Sequence, residues 1–313
     1  MQMIKLRNAR YCNLKLILIF LVVYGHLIEN MTESSYAAEL LYRTIYFLHM
    51  PVFAFTSGLF VRDIHRCKRQ LYRSLAIYVL LQTAAVILSG GKTDLFTPYW
   101  HLWYLLSLCM WLGAALLWFR FGKSRHGRLT VLLCALAGCA AGFVPWVGRV
   151  MSLSRTAVFL PYFMAGVICG IETVRVRRSW ALPLSGAAII LMVVCSDMPV
   201  SFLYQATPYI NAKDLLCRII CYIVGAGGCA AALFLVPDKR YPFTKIGADT
   251  IWIYLLHAPM VLAVRVFDTE WYGCILIAAA IIFVLYRITQ WCGGVYGIAC
   301  ERRAAFGDFS KNL

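Results

Sequence analysis

Charged side chains are scarce in this sequence, and acidic ones are especially rare. Only 14% of its 313 residues are charged, with 30 Lys and Arg against 14 Asp and Glu, while 62% are hydrophobic. A soluble domain carries about 25% charged residues, and no polar stretch here is long enough to form one. We therefore expect an integral membrane protein in which residues 1–313 form a single transmembrane domain without a separate soluble domain.

Several common motifs are also missing. The 13 cysteines include no C-x-x-C pair and no cysteine–histidine cluster at zinc-ligand spacing, so we expect packing residues and no metal site. No small-x-small cleavage site follows the first apolar run, which is therefore expected to stay as an anchor. No nucleic-acid motif accompanies the net charge of +16. The basic residues lie in short clusters between apolar runs, which favours a role in membrane topology.

The chain does contain ten apolar segments, each near the ~20 residues that a helix needs to cross a bilayer. They cover residues 12–30, 40–61, 71–89, 101–119, 129–147, 156–173, 180–197, 214–236, 249–267 and 272–296. Without alternating polarity, helices are favoured over a barrel. Lys and Arg concentrate at both ends and in every second connection, which predicts cytoplasmic termini. The sequence thus predicts an all-α bundle of about ten transmembrane helices in the cell (plasma) membrane.

Two of these segments carry runs of small residues. Residues 138–142 read GCAAG, and residues 225–230 read GAGGCA. Small side chains allow helix backbones to approach closely inside a membrane. We therefore predict close helix packing at both runs.

A histidine, His26, lies within the first apolar segment. An ionisable side chain in hydrocarbon is costly, so it usually faces a partner, a cavity or a reaction. Lys15 and Glu29 lie eleven positions before it and three positions after it, spacings that place all three on one helix face. A structural interpretation stays open, with Lys15 reaching the interface, His26 in a packing hydrogen bond and Glu29 in water.

Five blocks of the sequence carry a resemblance to a known family. They are residues 10–15 with 22–26 (RYCNLK and VVYGH), 47–59 (FLHMPVFAFTSGL), 101–105 (HLWYL), 159–166 (FLPYFMAG) and 246–259 (IGADTIWIYLLHAP). In this order they resemble the acyltransferase 3 family of membrane acyltransferases. The resemblance spans residues 10–260.

The resemblance implies transfer of an acyl group, commonly acetyl from acetyl-CoA, to a hydroxyl of an extracytoplasmic or lipid-linked glycan. The histidine of the family's first-helix block corresponds to His26, and the basic position before it corresponds to Lys15. The chain departs from the pattern at Asn13, where many members have an acidic residue. Any role that needs a carboxylate at this position is therefore in question.

The residue chemistry fits such a transfer. A sugar hydroxyl is a poor nucleophile at neutral pH, and a neutral imidazole can take its proton as it attacks a thioester. His26 is our candidate general base, and Glu29, one helical turn away, is the candidate that orients the ring and stabilises the imidazolium. An acyl-histidine intermediate is the covalent alternative.

Coenzyme A is a polyanion, so its phosphates are expected to meet a basic cluster on the cytoplasmic face. The densest cluster follows the second segment and comprises Arg62, Arg66, Lys68, Arg69 and Arg73. Arg10 and Lys15 are expected to complete the binding mouth. These residues also suit a purely topological role.

Two other functional classes fit parts of the pattern. A proton-coupled transporter or flippase of a glycan or small metabolite would use His26 and Lys15. A membrane scaffold would use the polar groups only for packing. Among weaker candidates, His49 and His257 precede prolines and are predicted to repair the backbone bonding that each proline breaks. Asp249 is a further candidate, either as a polar group inside the bundle or as a helix cap.

Overall fold

A computed structural model describes residues 9–90, 94–122, 124–148, 150–173, 178–194, 198–248, 250–267 and 269–309. Within these residues every regular element is a helix, and no β-strand is present. The α-helices are α1 Ala9–Ile28, α2 Tyr36–Leu59, α3 Ile64–Leu88, α4 Trp103–Phe121, α5 Gly127–Ala140, α6 Leu153–Thr173, α7 Arg178–Val194, α8 Val200–Leu203, α9 Ala212–Leu235, α10 Thr250–Val264 and α11 Gly273–Phe309. The predicted all-α class is confirmed.

The structure does not confirm the ten membrane spans that were predicted. Each of the ten apolar segments overlaps a helix, but in the described residues only 6 helices are long and apolar enough to cross a bilayer. The segment Pro242–Ala248 and α10 form a pair bent by 85°, which raises the number to 7 if the pair is one span. Gly127–Phe143 and Leu182–Val194 are apolar but shorter.

Helix α2 is long enough to span but is not among these candidates. It contains Glu39 in its first turn and Arg43 and His49 further along, and such polar side chains lower the mean hydropathy of the helix. Ten spans are therefore not confirmed. The two chain ends, residues 1–8 and 310–313, lie outside the described residues, so the cytoplasmic location of both termini stays a prediction.

The helices pack as two compact units, one formed by residues 1–31 and 238–313 and the other by residues 32–237. The prediction of a single domain over residues 1–313 stays a prediction. The first unit contains α1, α10 and α11, with Val23, Ile253 and Ala278 fully buried in its core. Apolar burial of this kind holds the three helices together.

A 3-10 segment of the first unit, Pro242–Ala248, packs against α1 at a glycine. A Cβ added at Gly247 would lie 1.8 Å from the carbonyl oxygen of Cys12. Only glycine permits this approach, because any side chain would occupy the position of the α1 backbone. The contact fixes this segment against the N-terminal half of α1.

The second unit contains the small-residue contacts that the sequence predicted. A Cβ on Gly227 of α9 would lie 2.6 Å from the carbonyl oxygen of Leu184 on α7, and one on Gly138 of α5 would lie 2.9 Å from the carbonyl oxygen of Ala157 on α6. Both runs therefore place helix backbones in close contact, and that prediction is confirmed.

Candidate functional site

His26 lies in the last turn of α1, within the first unit. Its side chain is 15% exposed. The imidazole stacks on the ring of His257 from α10, with the ring centroids 5.5 Å apart and the planes 17° from parallel. The first helix therefore presents its histidine against a second histidine that lies in a different part of the chain.

His257 is fully buried. Its Nδ1 donates a hydrogen bond to the carbonyl oxygen of Tyr254, 2.7 Å away. Because a carbonyl only accepts, Nδ1 carries the proton, and a neutral ring then has its lone pair on Nε2. The carbonyl that loses its amide donor to Pro259 is that of Leu255, four residues before the proline. The predicted local repair is therefore not the bond that this side chain makes.

His49 in the second unit shows the same departure. It is buried, and its Nδ1 lies 2.6 Å from the carbonyl oxygen of Ile45. Pro51 instead deprives the carbonyl of Phe47 of a donor. The ring of Tyr46 meets the imidazole edge-on at 4.9 Å. Asp249, the other weaker candidate, lies outside the described residues.

Glu29 pairs with an arginine. Its Oε2 lies 2.6 Å from Nη2 of Arg265, whereas the distance from Oε2 to Nδ1 of His26 is 4.0 Å, too long for a hydrogen bond. The arginine follows the end of α10 in the same unit. The carboxylate and the imidazole are thus neighbours, with the carboxylate held by the cation.

Arg265 also bonds the main chain of α1. Its Nε lies 3.0 Å from the carbonyl oxygen of His26, and Nη2 donates to the same oxygen. Carbonyls in the last turn of a helix lack amide donors, so a cation here satisfies one of them and complements the helix dipole. The guanidinium therefore fixes the backbone that carries His26 and the side chain of Glu29 together.

Arg265 is the residue of this cluster that the sequence interpretation missed. One signal for it was present, since it is a lone cation near the end of an otherwise apolar segment, 249–267. Glu29 ends the first segment on the same predicted side of the membrane. An isolated cation and an isolated carboxylate at one membrane face are natural partners.

A small pocket of about 40 Å³ opens beside the arginine. Its lining includes Leu27, Asn30, Met31, Arg265 and Cys274, all in the first unit. Among the residues that the structure describes, no three His, Cys, Asp or Glu side chains are grouped as metal ligands would be. The cluster therefore offers one partly exposed imidazole, a buried imidazole, and a guanidinium–carboxylate pair. These groups suit proton transfer near a charged end of a helix.

The other end of α1 holds Arg10, Asn13 and Lys15. The main-chain N–H of Arg10 donates to Oδ1 of Asp238 at 3.0 Å. Lys15 is partly exposed. Both residues lie in the unit that contains His26, toward the opposite end of the same helix.

Asn13 uses both ends of its amide. Nδ2 donates to the carbonyl oxygen of Lys239 at 2.9 Å, and Oδ1 accepts from Oγ1 of Thr244 at 2.7 Å. A carboxylate has no donor for the first of these bonds. The departure from the family pattern therefore has a structural explanation in this chain.

The basic cluster lies in the second unit, where α3 begins. All its members are exposed, and they are Arg62, Arg66, Lys68, Arg69 and Arg73. Arg66, Arg69 and Arg73 follow a spacing of three and four, which places them on one face of α3, and Arg62 precedes the helix. Asp63 caps the helix and lies 3.4 Å from Nε of Arg66. The structure thus presents an exposed cationic stripe with one carboxylate at its start.

Comparison with known protein families gives a match over most of the chain. The family model of acyltransferase 3, described as an acyltransferase domain, covers residues 11–289. The chain belongs to the acyltransferase 3 family. The resemblance seen in the five sequence blocks is therefore confirmed, and the matched range contains His26, Glu29, His257 and Arg265. No curated protein and no solved structure compared with the chain gave a significant match.

Membership in this family establishes a membrane acyltransferase in general terms. Two of the five sequence blocks, the second and the fourth, also contact each other in the structure. Gly58 of α2 and Gly166 of α6 lie against each other's helix backbones, so that an added Cβ would be 2.1 Å from the carbonyl oxygen of Phe163 or 2.2 Å from that of Phe55, respectively. The second and fourth blocks thus meet through their glycines.

Proposed function

We propose that the protein transfers an acyl group, most simply acetyl, from acyl-CoA to a hydroxyl of an extracytoplasmic or lipid-linked glycan at the cell membrane. The single observation that carries the proposal is the cluster around His26, in a chain of the acyltransferase 3 family. The imidazole is partly exposed, and Arg265 binds both its main-chain carbonyl and Glu29.

In the proposed step, His26 takes the proton of the acceptor hydroxyl as the oxygen attacks the thioester carbonyl. The carbon–sulfur bond then breaks, and the leaving thiolate of coenzyme A takes the proton from the imidazolium. The products are an ester and free coenzyme A. In the covalent alternative, His26 first accepts the acyl group itself and then passes it to the hydroxyl.

Glu29 and Arg265 serve the imidazole in different ways. The carboxylate, 4.0 Å from Nδ1, stabilises the imidazolium through space and not through a direct hydrogen bond. Arg265 neutralises that carboxylate when the ring is uncharged and fixes the last turn of α1. We therefore assign Arg265 as a positioning residue, which acts through Glu29 and the backbone of His26.

The ring of His257, which stacks on that of His26, supports a mechanism in which one proton is transferred at a time. Two imidazolium rings with centroids 5.5 Å apart repel each other, so at most one of His26 and His257 carries a positive charge at a time. His257 already uses its Nδ1 proton on the carbonyl of Tyr254. The partly exposed ring of His26 is then the one that exchanges protons with a substrate.

The donor is proposed to bind through its phosphates at the exposed stripe of Arg62, Arg66, Arg69 and Arg73. Arginine suits phosphate because its planar guanidinium forms paired, charge-assisted hydrogen bonds. Arg10 and Lys15 are proposed as further contacts to coenzyme A. The partners are then acyl-CoA, a glycan or lipid-linked sugar, and membrane lipids, without nucleic acid or a metal cofactor.

The test is acyl transfer from labelled acetyl-CoA to membrane glycans and lipids, analysed by mass spectrometry for the added acyl mass. We expect His26→Ala to lower the rate about 10²–10⁴-fold, the usual contribution of a positioned general base. His126→Ala is the matched control, because His126 is exposed and lies at the start of α5 in the second unit.

The transfer proposal fails if wild-type protein moves a glycan across the membrane without modifying it. It fails equally if the His26→Ala protein, folded and inserted, keeps full transfer activity. The first result would indicate the transporter alternative, and the second would indicate that the polar cluster serves packing only.

A further inference from the structure

The first unit contains an apolar groove between α1 and α11. Its cavity volume is about 300 Å³, at the lower end of the roughly 300–1,000 Å³ of ligand pockets. Helix α1 lines it with Leu16 and Phe20, and α11 lines it with Ala279 and Phe283. Each pair is four residues apart and therefore shares one helix face. The groove thus lies between two apolar faces, and the short side chain of Ala279 leaves room in one of them.

The groove opens to the surface within two membrane-spanning helices. Both walls belong to candidate spans, Ala9–Met31 and Gly273–Cys292. All its lining residues are apolar, and Ile17 and Phe283 in its walls are 45% and 55% exposed. A site without hydrogen-bonding side chains does not orient a sugar or a nucleotide. Its composition suits a hydrocarbon chain that enters from the surrounding lipid.

A third element, the 3-10 segment Pro242–Ala248, contributes Ile246 to the lining of the groove. The segment is fixed to α1 by a hydrogen bond in which Oγ1 of Thr244 donates to Oδ1 of Asn13 at 2.7 Å. Asn13 lies in the helical turn before Leu16. The segment therefore lies beside the N-terminal end of the groove.

Basic residues are concentrated in and just before this segment. Residues 238–246 include one carboxylate, that of Asp238, and three exposed cations, which are Lys239, Arg240 and Lys245. Lys245 directly precedes the lining residue Ile246, and the main-chain carbonyl of Lys239 accepts from Nδ2 of Asn13. The N-terminal end of the groove therefore carries an excess of positive charge.

Two aromatic side chains lie among these cations. The rings of Tyr241 and Phe243 stack, with their centroids 5.1 Å apart and their planes 7° from parallel. Phe243 is 48% exposed, and Nζ of Lys239 lies 5.9 Å from the ring centroid of Tyr241. Aromatic rings together with Lys and Arg at the end of a span are typical of the membrane–water interface, where lipid headgroups lie. The cations thus lie at the level of the headgroups, and the groove extends from there into the hydrocarbon.

We propose that the first unit binds an anionic phospholipid, with one acyl chain in the groove and the phosphate beside Lys239 and Lys245. The groove alone does not select a lipid, because the bilayer offers the chain an equally apolar environment. The cations select the charge, since each Lys or Arg near a membrane surface strengthens the attraction to anionic lipid roughly 5-fold. This binding site does not depend on acyl transfer and goes beyond the proposed function.

The test compares two photoreactive lipids in nanodiscs that hold the full chain in phosphatidylcholine. The probes are phosphatidylglycerol and phosphatidylcholine, each with the same acyl chain carrying a diazirine. We expect the phosphatidylglycerol probe to label peptides that contain residues 16–20 or 279–283 about 5- to 25-fold more than the phosphatidylcholine probe, as one or two selecting cations require. An excess of unlabelled phosphatidylglycerol should suppress this labelling.

The groove is tested by filling it. Ala279→Trp places an indole in the space for the acyl chain, so labelling of the peptides with residues 16–20 by phosphatidylglycerol should fall to the level of the phosphatidylcholine probe. Ala280→Trp is the matched control, because Ala280 is also exposed but does not line the groove, and it should leave labelling unchanged. Both substitutions are at exposed positions, so both variants are expected to fold, and thermal unfolding of each checks this.

The selection by charge is tested by removing two cations. Lys239→Gln together with Lys245→Gln should lower the preference for phosphatidylglycerol about 5- to 25-fold, while labelling by phosphatidylcholine stays the same. The matched control is Arg125→Gln together with Arg128→Gln, since both arginines are exposed and lie in the second unit, in a basic connection on the same predicted side of the membrane. The control should leave the preference unchanged.

The outcomes separate the lipid site from the proposed acyl transfer. A preference for phosphatidylglycerol that both Ala279→Trp and the double lysine variant remove supports the site, whether or not the protein transfers an acyl group. Equal labelling by the two probes in wild type overturns it and indicates that the basic residues serve topology only. Displacement of the probe by palmitoyl-CoA but not by phosphatidylglycerol also overturns it, because the groove then belongs to the acyl donor. Both of these results leave the acyltransferase proposal standing.

Discussion

Arg265 contacts both His26 and Glu29, the two residues to which the proposed reaction gives a chemical role. It binds the main-chain carbonyl of His26 and the carboxylate of Glu29, from a position 239 residues after His26. Three contacts through one planar side chain give a geometry that a lysine cannot reproduce. A single arginine side chain therefore holds both groups of this site in place.

We predict that Arg265→Gln lowers kcat about 10- to 100-fold while the KM for acyl-CoA stays nearly unchanged. The reason is that Glu29 loses its partner and the last turn of α1 loses a hydrogen bond, while the contacts to acyl-CoA stay the same. Arg265→Lys should restore part of the rate because it keeps the charge. Steady-state kinetics with acetyl-CoA measure both parameters.

The control for this variant is Arg287→Gln, since Arg287 is exposed on α11. Equal losses in the two variants would show that the rate responds to net charge and not to the Arg265 contacts. An unchanged kcat in Arg265→Gln would contradict the positioning role.

Asn13 departs from the family pattern, and its hydrogen bonds show what the amide does in this chain. Its amide bridges α1 to the segment around Lys239 and Thr244, with one donor and one acceptor. An aspartate keeps the acceptor for Thr244 but loses the donor to Lys239. In this chain the position therefore serves packing between parts of the first unit.

At the scale of elements, α2 and α6 touch backbone to backbone through Gly58 and Gly166. An added methyl group at either position would overlap a carbonyl oxygen of the other helix. Helices in lipid gain much of their association from such close packing. The contact therefore sets the separation of these two helices.

We expect Gly166→Ala to lower the free energy of unfolding by about 1–3 kcal/mol, the usual cost of overpacking a tight interface. Gly113→Ala is the matched control, because nothing lies within 4 Å of a Cβ added there in the middle of α4. That change should be neutral or stabilising, since alanine favours helix more than glycine. Thermal unfolding in detergent compares the two, and similar melting temperatures would contradict the interface.

The connection between α3 and α4 is tied by two side chains. Gln82 donates to the main-chain carbonyls of Asp94 and Thr97 at 2.8 and 3.0 Å and accepts from the N–H of Tyr99 at 2.9 Å. The Asp94 carboxylate accepts from the main-chain N–H groups of Thr97 and Phe96 at 2.5 and 2.7 Å. The hydrogen bond from Thr97 is the largest cause that lowers the pKa of Asp94 below its usual value.

A lowered pKa means that the folded protein favours the ionised carboxylate more than the unfolded chain does. Its stabilising effect is therefore present above the unfolded pKa of about 3.9 and is lost as the pH falls through the folded value. We expect the difference in melting temperature between wild type and Asp94→Asn to be constant near neutral pH and to shrink below about pH 4. A constant difference from pH 2 to 7 would contradict this assignment.

At the scale of the whole molecule, the exposed stripe at the start of α3 is the proposed docking surface for coenzyme A. Replacing Arg66, Arg69 and Arg73 together by glutamine should raise the KM for acyl-CoA about 10- to 100-fold and reduce its salt dependence. The matched control replaces Arg120, Arg125 and Arg128, which are also exposed. Equal increases in KM would indicate a general charge effect and remove the specific role of the stripe.

The candidate site was predictable in part. His26 is an ionisable residue in an apolar run, so local sequence alone marks it, and Glu29 follows from helical spacing. Arg265 and His257 were missed or misassigned, because their roles depend on which distant segments pack together. The ten predicted spans are not confirmed for a related reason, since apolar composition does not give the length of each helix.

The five sequence blocks indicated the acyltransferase 3 family, which the family match confirmed. Composition and apolar pattern determined that this chain is a helical membrane protein with a histidine in its first helix. These properties follow from the partition of each segment between water and lipid, which depends on local residues. Tertiary structure decided that Arg265 holds Glu29 and that His257 stacks on His26. It also brought Gly58 of α2 against Gly166 of α6, because such contacts arise only when distant segments pack at fixed distances.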